Sequence, residues 1–538
     1  MWSERLAEAE RLTDPGGPFA MEQVVVRGIE VRNYVRRAAS LAEVFQEATE
    51  RFAERPALVQ DDHRLTFAEV GERAAGVAGG LQAAGIRAGD RVVILGANSP
   101  QWAEVFWGCL LAGAVSVPLN AWWGKEELAY ALDHSRASLV FADPERLPAV
   151  AGSVPDDRLV GLDSLVGFRK EPGSPVDLGE DDAVSIFYTS GTTGRPKGAM
   201  VDHRGVVANL RNLVYLAVRA RILAGEPRPE EPASQGVSLL VVPLFHVTGC
   251  QATLVASYAF GNRVVLYPQR GFDAQTAMHL IQDEGVTQFS AVPTLMLRIL
   301  DSELLGDYDL GSLRSVTYGG APVPPELPQR TRQALPGVRS IGNGYGLTET
   351  NAVVVANWGM EYLRKPHAIG KPLPVVDVKL VGPDGREAPD GEPGELAVRG
   401  PVVMAGYWRD EPATAVAIRE GWFYTGDLVV RDSEGDLVLV DRVKDVVIRG
   451  GENVFSVEVE NVLAEHPAVV EAAVVGVPHA ILGEEVKAVV VVRRPVQPEE
   501  LRAWCGERLA YFKVPAHVEV RVEPLPRNAA GKVLKETL

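Results

Sequence analysis

Two rhythms of apolar residues divide this chain, changing over near Val376. In the first, short aliphatic runs alternate with amphipathic stretches at helical spacing. Leu41, Val44, Phe45, Ala48 and Phe52 share one helical face. Thr66 and Glu69 have capping-box spacing and open a second helix that ends near Gly85. Arg91-Val92-Val93-Ile94-Leu95 reads as a buried strand. Ser99-Pro100 then supplies a cap and an N1 proline for a helix stopping near Gly113, and Val115-Ser116-Val117 is the next strand. A strand, a helix and a strand in close succession imply a right-handed crossover and a parallel sheet. The pattern repeats at Ser138 to Phe141, Ala183 to Tyr188, a helix after Asp202, and Ser238 to Val242. Residues 1–40 are charged and irregular and read as a surface extension; 224–235 read as an exposed loop.

In the second rhythm, Val376 to Val381, Gly394 to Arg399 and Leu437 to Val440 alternate in and out, divided by turns such as Pro383-Asp384-Gly385. This predicts a small antiparallel or barrel-like subdomain. After Arg442 come a helix near Val457 to His466, strands near Val469 to Val475 and Val486 to Val492, and a helix opened by Pro498. They form a separate α+β unit.

At 538 residues the chain is too long for one core. Its net charge of −17 disfavours a broad nucleic-acid or anionic-membrane surface, though not a local anion site. The three cysteines, Cys109, Cys250 and Cys505, lie far apart without metal spacing, which favours a reducing cytoplasm and no structural zinc. No secretory pattern opens the chain. Two long uncharged stretches, Val105 to Gly124 and Pro232 to Asn262, are broken by glycine and proline. They read as buried core, so no integral membrane contact is expected.

The candidate chemistry begins at Tyr188-Thr189-Ser190-Gly191-Thr192-Thr193-Gly194-Arg195-Pro196-Lys197-Gly198. Glycines let a backbone approach a ligand, successive N–H groups form an anion-binding concavity, and the hydroxyls and two cations add donors. This suits a polyphosphate, although Gly198 stands where a P-loop nucleotidase needs Ser or Thr. Five further segments follow in order. Pro243-Leu244-Phe245-His246 carries a histidine of the kind usually buried as a satisfied core residue. Tyr318-Gly319-Gly320-Ala321-Pro322 leaves room for a flat ring. Asn343-Gly344-Tyr345-Gly346-Leu347-Thr348-Glu349 offers an aromatic face and a carboxylate suited to Mg²⁺. Tyr424-Thr425-Gly426-Asp427 offers one carboxylate able to accept both hydroxyl protons of a ribose. Asp441-Arg442-Val443-Lys444-Asp445 leads to Gly450-Gly451. A final lysine stands in Pro526-Arg527-Asn528-Ala529-Ala530-Gly531-Lys532.

Each segment alone is weak, but together and in this order they resemble the adenylate-forming (ANL) superfamily, in its acyl-CoA synthetase and aryl-CoA ligase branch. The resemblance runs from about Leu41 to Lys535, with residues 1–40 only loosely matched. It implies an α/β fold: a large N-terminal domain of two α/β subdomains plus a small β-barrel-like subdomain, and a hinged small α+β C-terminal domain. The expected division is an ATP- and acid-binding domain over 1–443 and a mobile domain over 444–538. The resemblance also implies roles. Thr189, Ser190, Gly191, Thr192, Thr193, Gly194 and Lys197 would hold the β- and γ-phosphates of ATP. Adenine would lie between Gly319-Gly320-Ala321 and Tyr345, within the segment Asn343, Gly344 and Gly346. Thr348 would reach the α-phosphate and Glu349 the Mg²⁺. Asp427 would bind the ribose, with Arg442 beside it. Lys532 would touch the substrate carboxylate and the α-phosphate. Lys444 would be the hinge, Gly450 and Gly451 would meet the pantetheine arm of coenzyme A, and His246 would line the acyl tunnel.

The implied reaction is ATP-dependent acid–thiol ligation in two steps. A carboxylic acid and MgATP give acyl-AMP and pyrophosphate, and CoA then gives the thioester and AMP. No carrier domain is seen after Lys532, and His246 stands where amino-acid-selecting domains carry an Asp. A fatty or aryl-propenoate-like acid is therefore expected. The alternatives are a stand-alone enzyme loading a separate carrier protein, or one activating another oxyanion for a nitrogen nucleophile. The protein would be cytoplasmic, a monomer or a homodimer, with no nucleic-acid partner.

Overall fold

The computed structural model describes residues 2–189, 195–226, 234–268, 271–321, 323–527 and 533–538. The chain divides into two compact units. One comprises Met1–Pro366, Gly370–Asp377 and Val398–Phe423; the other comprises His367–Ile369, Val378–Ala397 and Tyr424–Leu538.

The larger unit is built on two sheets. The first has seven strands, in the spatial order Gly406–Tyr407, Lys197–Asp202, Ala183–Thr189, Val115–Leu119, Arg91–Leu95, Leu139–Ala142 and Leu159–Gly161. Ala183–Thr189 and the four strands after it in that order are parallel, as the crossover reading requires. Lys197–Asp202 runs antiparallel. The second sheet has nine strands, with Ser340–Tyr345, Ser315–Gly319, Gln288–Ala291, Val237–Leu240, Arg263–Leu266 and Pro56–Gln60 parallel at its centre. Antiparallel strands close both edges.

Local signals set the helix starts. Ser40 caps Leu41–Arg51, Thr66 and Glu69 form a capping box on Phe67–Ala83, and Ser99 with Pro100 opens Pro100–Leu111. Phe67–Ala83 packs closely because of its glycines: a Cβ on Gly79 would lie 2.4 Å from the Lys170 and Glu171 carbonyl oxygens. Phe45 stacks on Trp107 and Tyr258, with centroids 4.5 and 4.9 Å apart, so this core is close-packed aromatic.

The amino-terminal segment departs from the expected irregular surface extension. It forms a helix over Trp2–Glu10 and an antiparallel hairpin of Met21–Val26 and Ile29–Tyr34. It buries part of its apolar surface: Leu12, Phe19 and Tyr34 are at most 3% exposed, while Val25 is 66% exposed. The Tyr34 hydroxyl donates to Asn212, and Phe19 packs edge-on against Tyr215, both on the helix His203–Ala224. These partners lie nearly two hundred residues downstream, beyond any local pattern.

In the smaller unit, Leu437–Arg442 pairs antiparallel with Trp422–Arg431, in a five-stranded sheet that also contains Asp377–Val381 and Gly394–Arg399. A second sheet of five strands joins Val469–His479 to Gly483–Val492, with His517–Arg521 parallel to the latter. The helices Ser456–Ala464 and Pro498–Gly506 contribute Val459, Leu463 and Leu501 to its core. Part of the 224–235 loop, 227–233, lies outside the described residues. Among the described residues no helix is long and apolar enough to cross a membrane. All three cysteines are buried and free.

One junction makes stability depend on pH. His203 is 2% exposed, and its Nδ1 accepts the Leu41 N–H at 2.9 Å, a bond that requires an unprotonated Nδ1. Burial pulls its pKa down to about 4. In the unfolded chain it protonates near about 6.5. Between those values the unfolded state binds a proton that the folded state refuses, so this contribution is lost as pH falls from about 6.5 toward 4, by up to roughly 3 kcal/mol. Neighbouring Asp202 acts with opposite sign, since burial pushes it up to about 6. His203→Asn retains an acceptor and removes the titration. Urea melts at pH 7 and pH 5 should therefore show a smaller acid-side loss in His203→Asn than in the natural protein.

Candidate active site

In the larger unit, the hairpin of Ala183–Thr189 and Lys197–Asp202 brackets the hydroxyl-rich loop, with Thr189 paired to Lys197. Ser190, Gly191, Thr192, Thr193 and Gly194 lie outside the described residues. The Lys197 ammonium sits 5.3 Å from the Tyr407 ring centroid, and the Arg195 guanidinium 5.2 Å from that of Tyr130. On the strand Ala183–Thr189, Tyr188 is buried, its hydroxyl 2.8 Å from His134 Nδ1.

Gly319 and Gly344 pair across adjacent parallel strands, and Gly320 follows with φ of +77°, a conformation that favours glycine. Ala321 is half-buried and Pro322 lies outside the described residues. Tyr318 points into the core, its hydroxyl 2.5 Å from Thr331. Asn343 is buried and Tyr345 ends its strand. A Cβ on Gly346 would fall 1.5 Å from the Ala352 carbonyl oxygen, so no larger residue fits this backbone.

Thr348 and Glu349 occupy one turn of 3₁₀ helix, Thr348–Thr350. Glu349 is 8% exposed. The Tyr407 hydroxyl donates to its Oε1 at 2.9 Å, and the Met404 N–H donates to its carbonyl at 2.8 Å. Burial, reinforced by the Glu349 charge, pushes the Tyr407 phenol far up, so it remains a neutral donor. Tyr407 thus joins Lys197 at its ring to Glu349 at its hydroxyl. Sequence reading missed it: a lone Gly-Tyr pair far from either partner carries no motif.

His246 sits between Val237–Leu240 and a π-helical stretch, Thr248–Val255, a form common at functional sites. Its ring is 4.7 Å from that of Phe245, which meets Trp122 edge-on at 5.0 Å. Asn98 fixes the strand end, donating to the Val242 carbonyl and accepting the Leu244 N–H. Asn98 was also missed, hidden beside the Ser99-Pro100 helix start.

In the smaller unit, Asp427 and Arg442 are direct cross-strand partners; Arg442 Nε donates to Asp427 Oδ1 at 2.9 Å. Asp427 is 5% exposed and follows Gly426, whose φ is +73°. The Lys444 ammonium lies 3.0 Å from Glu536. Gly450 and Gly451, both at positive φ, form the exposed turn between Val447–Arg449 and Glu452–Val454. Lys532 lies outside the described residues. Among the described residues no group of three or more His, Cys, Asp or Glu is arranged to hold a metal. Glu349 is the one buried carboxylate of the predicted set in the larger unit.

The AMP-binding enzyme family model matches residues 45–408, and the AMP-binding enzyme C-terminal domain model matches 458–532. A feruloyl-CoA synthase of an Amycolatopsis species is 39% identical over 480 residues, 88% of this chain and 92% of the relative. A 2-succinylbenzoate–CoA ligase of Bacillus licheniformis is 36% identical, over 92% of this chain and 98% of that one. A fatty acid–[acyl-carrier-protein] ligase of Streptomyces coeruleorubidus is 32% identical, over 90% and 92%. Among solved structures, the o-succinylbenzoate CoA synthetase of Bacillus subtilis with its acyl-adenylate intermediate has a TM-score of 0.81 at 31% identity, covering 93% of this chain and 98% of that one. The same enzyme has also been solved with ATP and a magnesium ion. The chain belongs to the AMP-binding enzyme family, the adenylate-forming superfamily, among acyl- and aryl-CoA ligases.

Proposed function

We propose that this protein is an ATP-dependent acid–CoA ligase that activates an aromatic or fatty carboxylic acid as its adenylate and passes the acyl group to coenzyme A. The observation that carries the reading is the succession of both family models on one chain, containing the ordered motifs from Thr189 to Lys532. An aryl acid is favoured by two relatives whose names specify aromatic acids, feruloyl-CoA synthase and 2-succinylbenzoate–CoA ligase. The carrier-protein ligase among the relatives supports a second reading, in which the acceptor is a phosphopantetheinylated protein.

The residue types suit the chemistry. The acid is already ionised at neutral pH, so its attack on ATP needs no general base. The difficulty is bringing one anion to another while charge builds on the α-phosphoryl group. Lys197 and Arg195 place positive charge at the loop for the outer phosphates. Lys532 is assigned to the reacting phosphoryl and the acid carboxylate, and Asp427 to the ribose hydroxyls. Glu349 suits a magnesium ion because it is a buried carboxylate oriented by the Tyr407 hydroxyl. When bound, that ion supplies charge neutralisation at the phosphate oxygens. The acyl-adenylate is a reactive anhydride, so the site must exclude water until the thiol arrives.

Pyrophosphate release across a panel of aryl and aliphatic acids, with and without CoA, tests the assignment. Acid-dependent release with acyl-CoA and AMP as products is expected. Transfer only to a carrier protein would favour the second reading, and no acid-dependent release would end both. Lys532→Ala should lower adenylate formation by about 10²–10³ while leaving thioester formation from preformed acyl-adenylate largely intact; equal losses in the two half-reactions would contradict its role. Lys444→Pro, which fixes φ at the proposed pivot, should slow thioester formation more than adenylation. Single-turnover measurement of each half-reaction decides the ordering.

A further inference from the structure

The amino-terminal hairpin carries an unusual residue at its tip. Met21–Val26 and Ile29–Tyr34 pair down to Val26 and Ile29, leaving Arg27 and Gly28 as a two-residue turn. Both have positive φ, 50° and 82°. Such turns ordinarily take Asn-Gly or Asp-Gly, since a long side chain in the left-handed region is strained. Arg27 occupies it nonetheless, and its guanidinium reaches inward. Nη1 donates to the carbonyl oxygens of Val403 and Met404, both at 3.1 Å, while Nη2 pairs with the buried carboxylate of Asp202. Asp202 in turn caps the helix His203–Ala224, accepting the Gly205 N–H at 2.8 Å.

The segment that Arg27 grips is the one that supports Glu349. The Met404 N–H donates to the Glu349 carbonyl and the Ala405 N–H to the Met200 carbonyl. Gly406 and Tyr407 pair with Met200 and Ala199, and the Tyr407 hydroxyl holds the Glu349 carboxylate. Asn351 donates to the Val402 carbonyl at 2.8 Å. One fork of donors therefore ties together the start of the 402–407 segment and the far end of the strand that begins at Lys197. The hairpin is fastened a second time by Arg32, which pairs at 2.6 Å with Asp377, a residue outside the 402–407 segment.

We propose that Arg27 is a positioning residue for adenylate formation: by fixing the Val403 and Met404 carbonyls against Asp202, it sets the orientation of the Glu349 carboxylate toward the magnesium-bound nucleotide. This rests on the assignment of Glu349 made above. A lysine cannot replace it fully, because a single ammonium cannot reproduce the planar fork that serves two carbonyls and a carboxylate.

The test uses the full-length protein with Arg27→Met, Arg27→Lys, Arg32→Met and Glu349→Gln. Hydrogen exchange is read at the backbone amides of 402–407, and Mg²⁺ dependence is read for ATP binding by calorimetry without acid, so that no turnover occurs. Arg27→Met should exchange faster at the Met404 and Ala405 amides and need roughly 10–100-fold more Mg²⁺ for half-maximal ATP binding, the usual scale for lost support of a metal-orienting residue. Arg27→Lys should fall between. Arg32→Met, which loosens the same hairpin elsewhere, should leave the Mg²⁺ curve unchanged. An unaltered Mg²⁺ curve in Arg27→Met overturns the proposal, as does an equal shift in Arg32→Met, because the effect would then be general loosening. If Glu349→Gln leaves the Mg²⁺ curve unmoved, it is the assignment of Glu349 that fails, and this inference with it.

Discussion

The larger unit depends on the register of one antiparallel hairpin set into an otherwise parallel sheet. Ala183–Thr189 and Lys197–Asp202 pair so that Thr189 faces Lys197 at one end, while Asp202 stands at the other. The first end delivers a hydroxyl-rich loop flanked by cations. The second delivers the cap of a 22-residue helix and the anchor for the amino-terminal hairpin. A one-residue slip would turn every side chain of the strand to the opposite face. Lys197 would then leave the Tyr407 ring and Asp202 would leave Arg27. The strand is held from both sides, by Ile186 and its neighbours and by Gly406-Tyr407. A Cβ on Gly198 would lie 2.6 Å from Ile186, so close approach is part of the same constraint.

Four buried carboxylates are each given a specific partner. An unpaired buried charge is costly, and a buried acid otherwise responds by staying protonated. Asp202 has Arg27 and the Gly205 N–H; Glu349 has the Tyr407 hydroxyl; in the smaller unit Asp427 has Arg442. Glu104, wholly buried beneath the first sheet, has Arg73 and Arg169. The difference between them is the kind of partner. Glu104 is ringed by guanidinium groups and reads as a structural tie. Glu349 is held by a neutral phenol, which orients a carboxylate without neutralising it. That is the arrangement an acid needs if its charge is to serve a cation supplied with the nucleotide.

Much of this was legible because it is local. Ser40, Thr66 with Glu69, Ser99 with Pro100, and Asp202 announce helix starts within a few residues, and the structure places helices there. The ordered glycine and acid motifs also stand out by composition, and the family comparisons agree with the chemistry they suggest. What escaped was non-local. Phe19 and Tyr34 are sparse apolar residues in a charged stretch, and their burial depends on the helix His203–Ala224 far downstream. Tyr407 and Asn98 orient site segments through partners that no short pattern links to them. Arg27 offered only an Arg-Gly pair, which no turn rule singles out as a clamp.

The segment proposed as a pivot is tied down in this conformation. On one side of Lys444, the Asp441 carboxylate accepts the backbone N–H and the hydroxyl of Ser456 on the other, the hydroxyl at 3.0 Å. Lys535 donates to the same Ser456 hydroxyl and pairs with Glu460, while Lys444 itself reaches Glu536. Under the proposed pivot, rotation about Lys444 would have to break the bonds between Asp441 and Ser456. Hydrogen bonds to a charged group contribute about 1.5–3 kcal/mol each, so the two together set a threshold of roughly 3–6 kcal/mol. The exposed Lys444–Glu536 pair adds little. Converting a 1:99 population to 99:1 takes about 5.5 kcal/mol of differential binding. Under the proposed pivot, that threshold is of the size that differential ligand binding can supply.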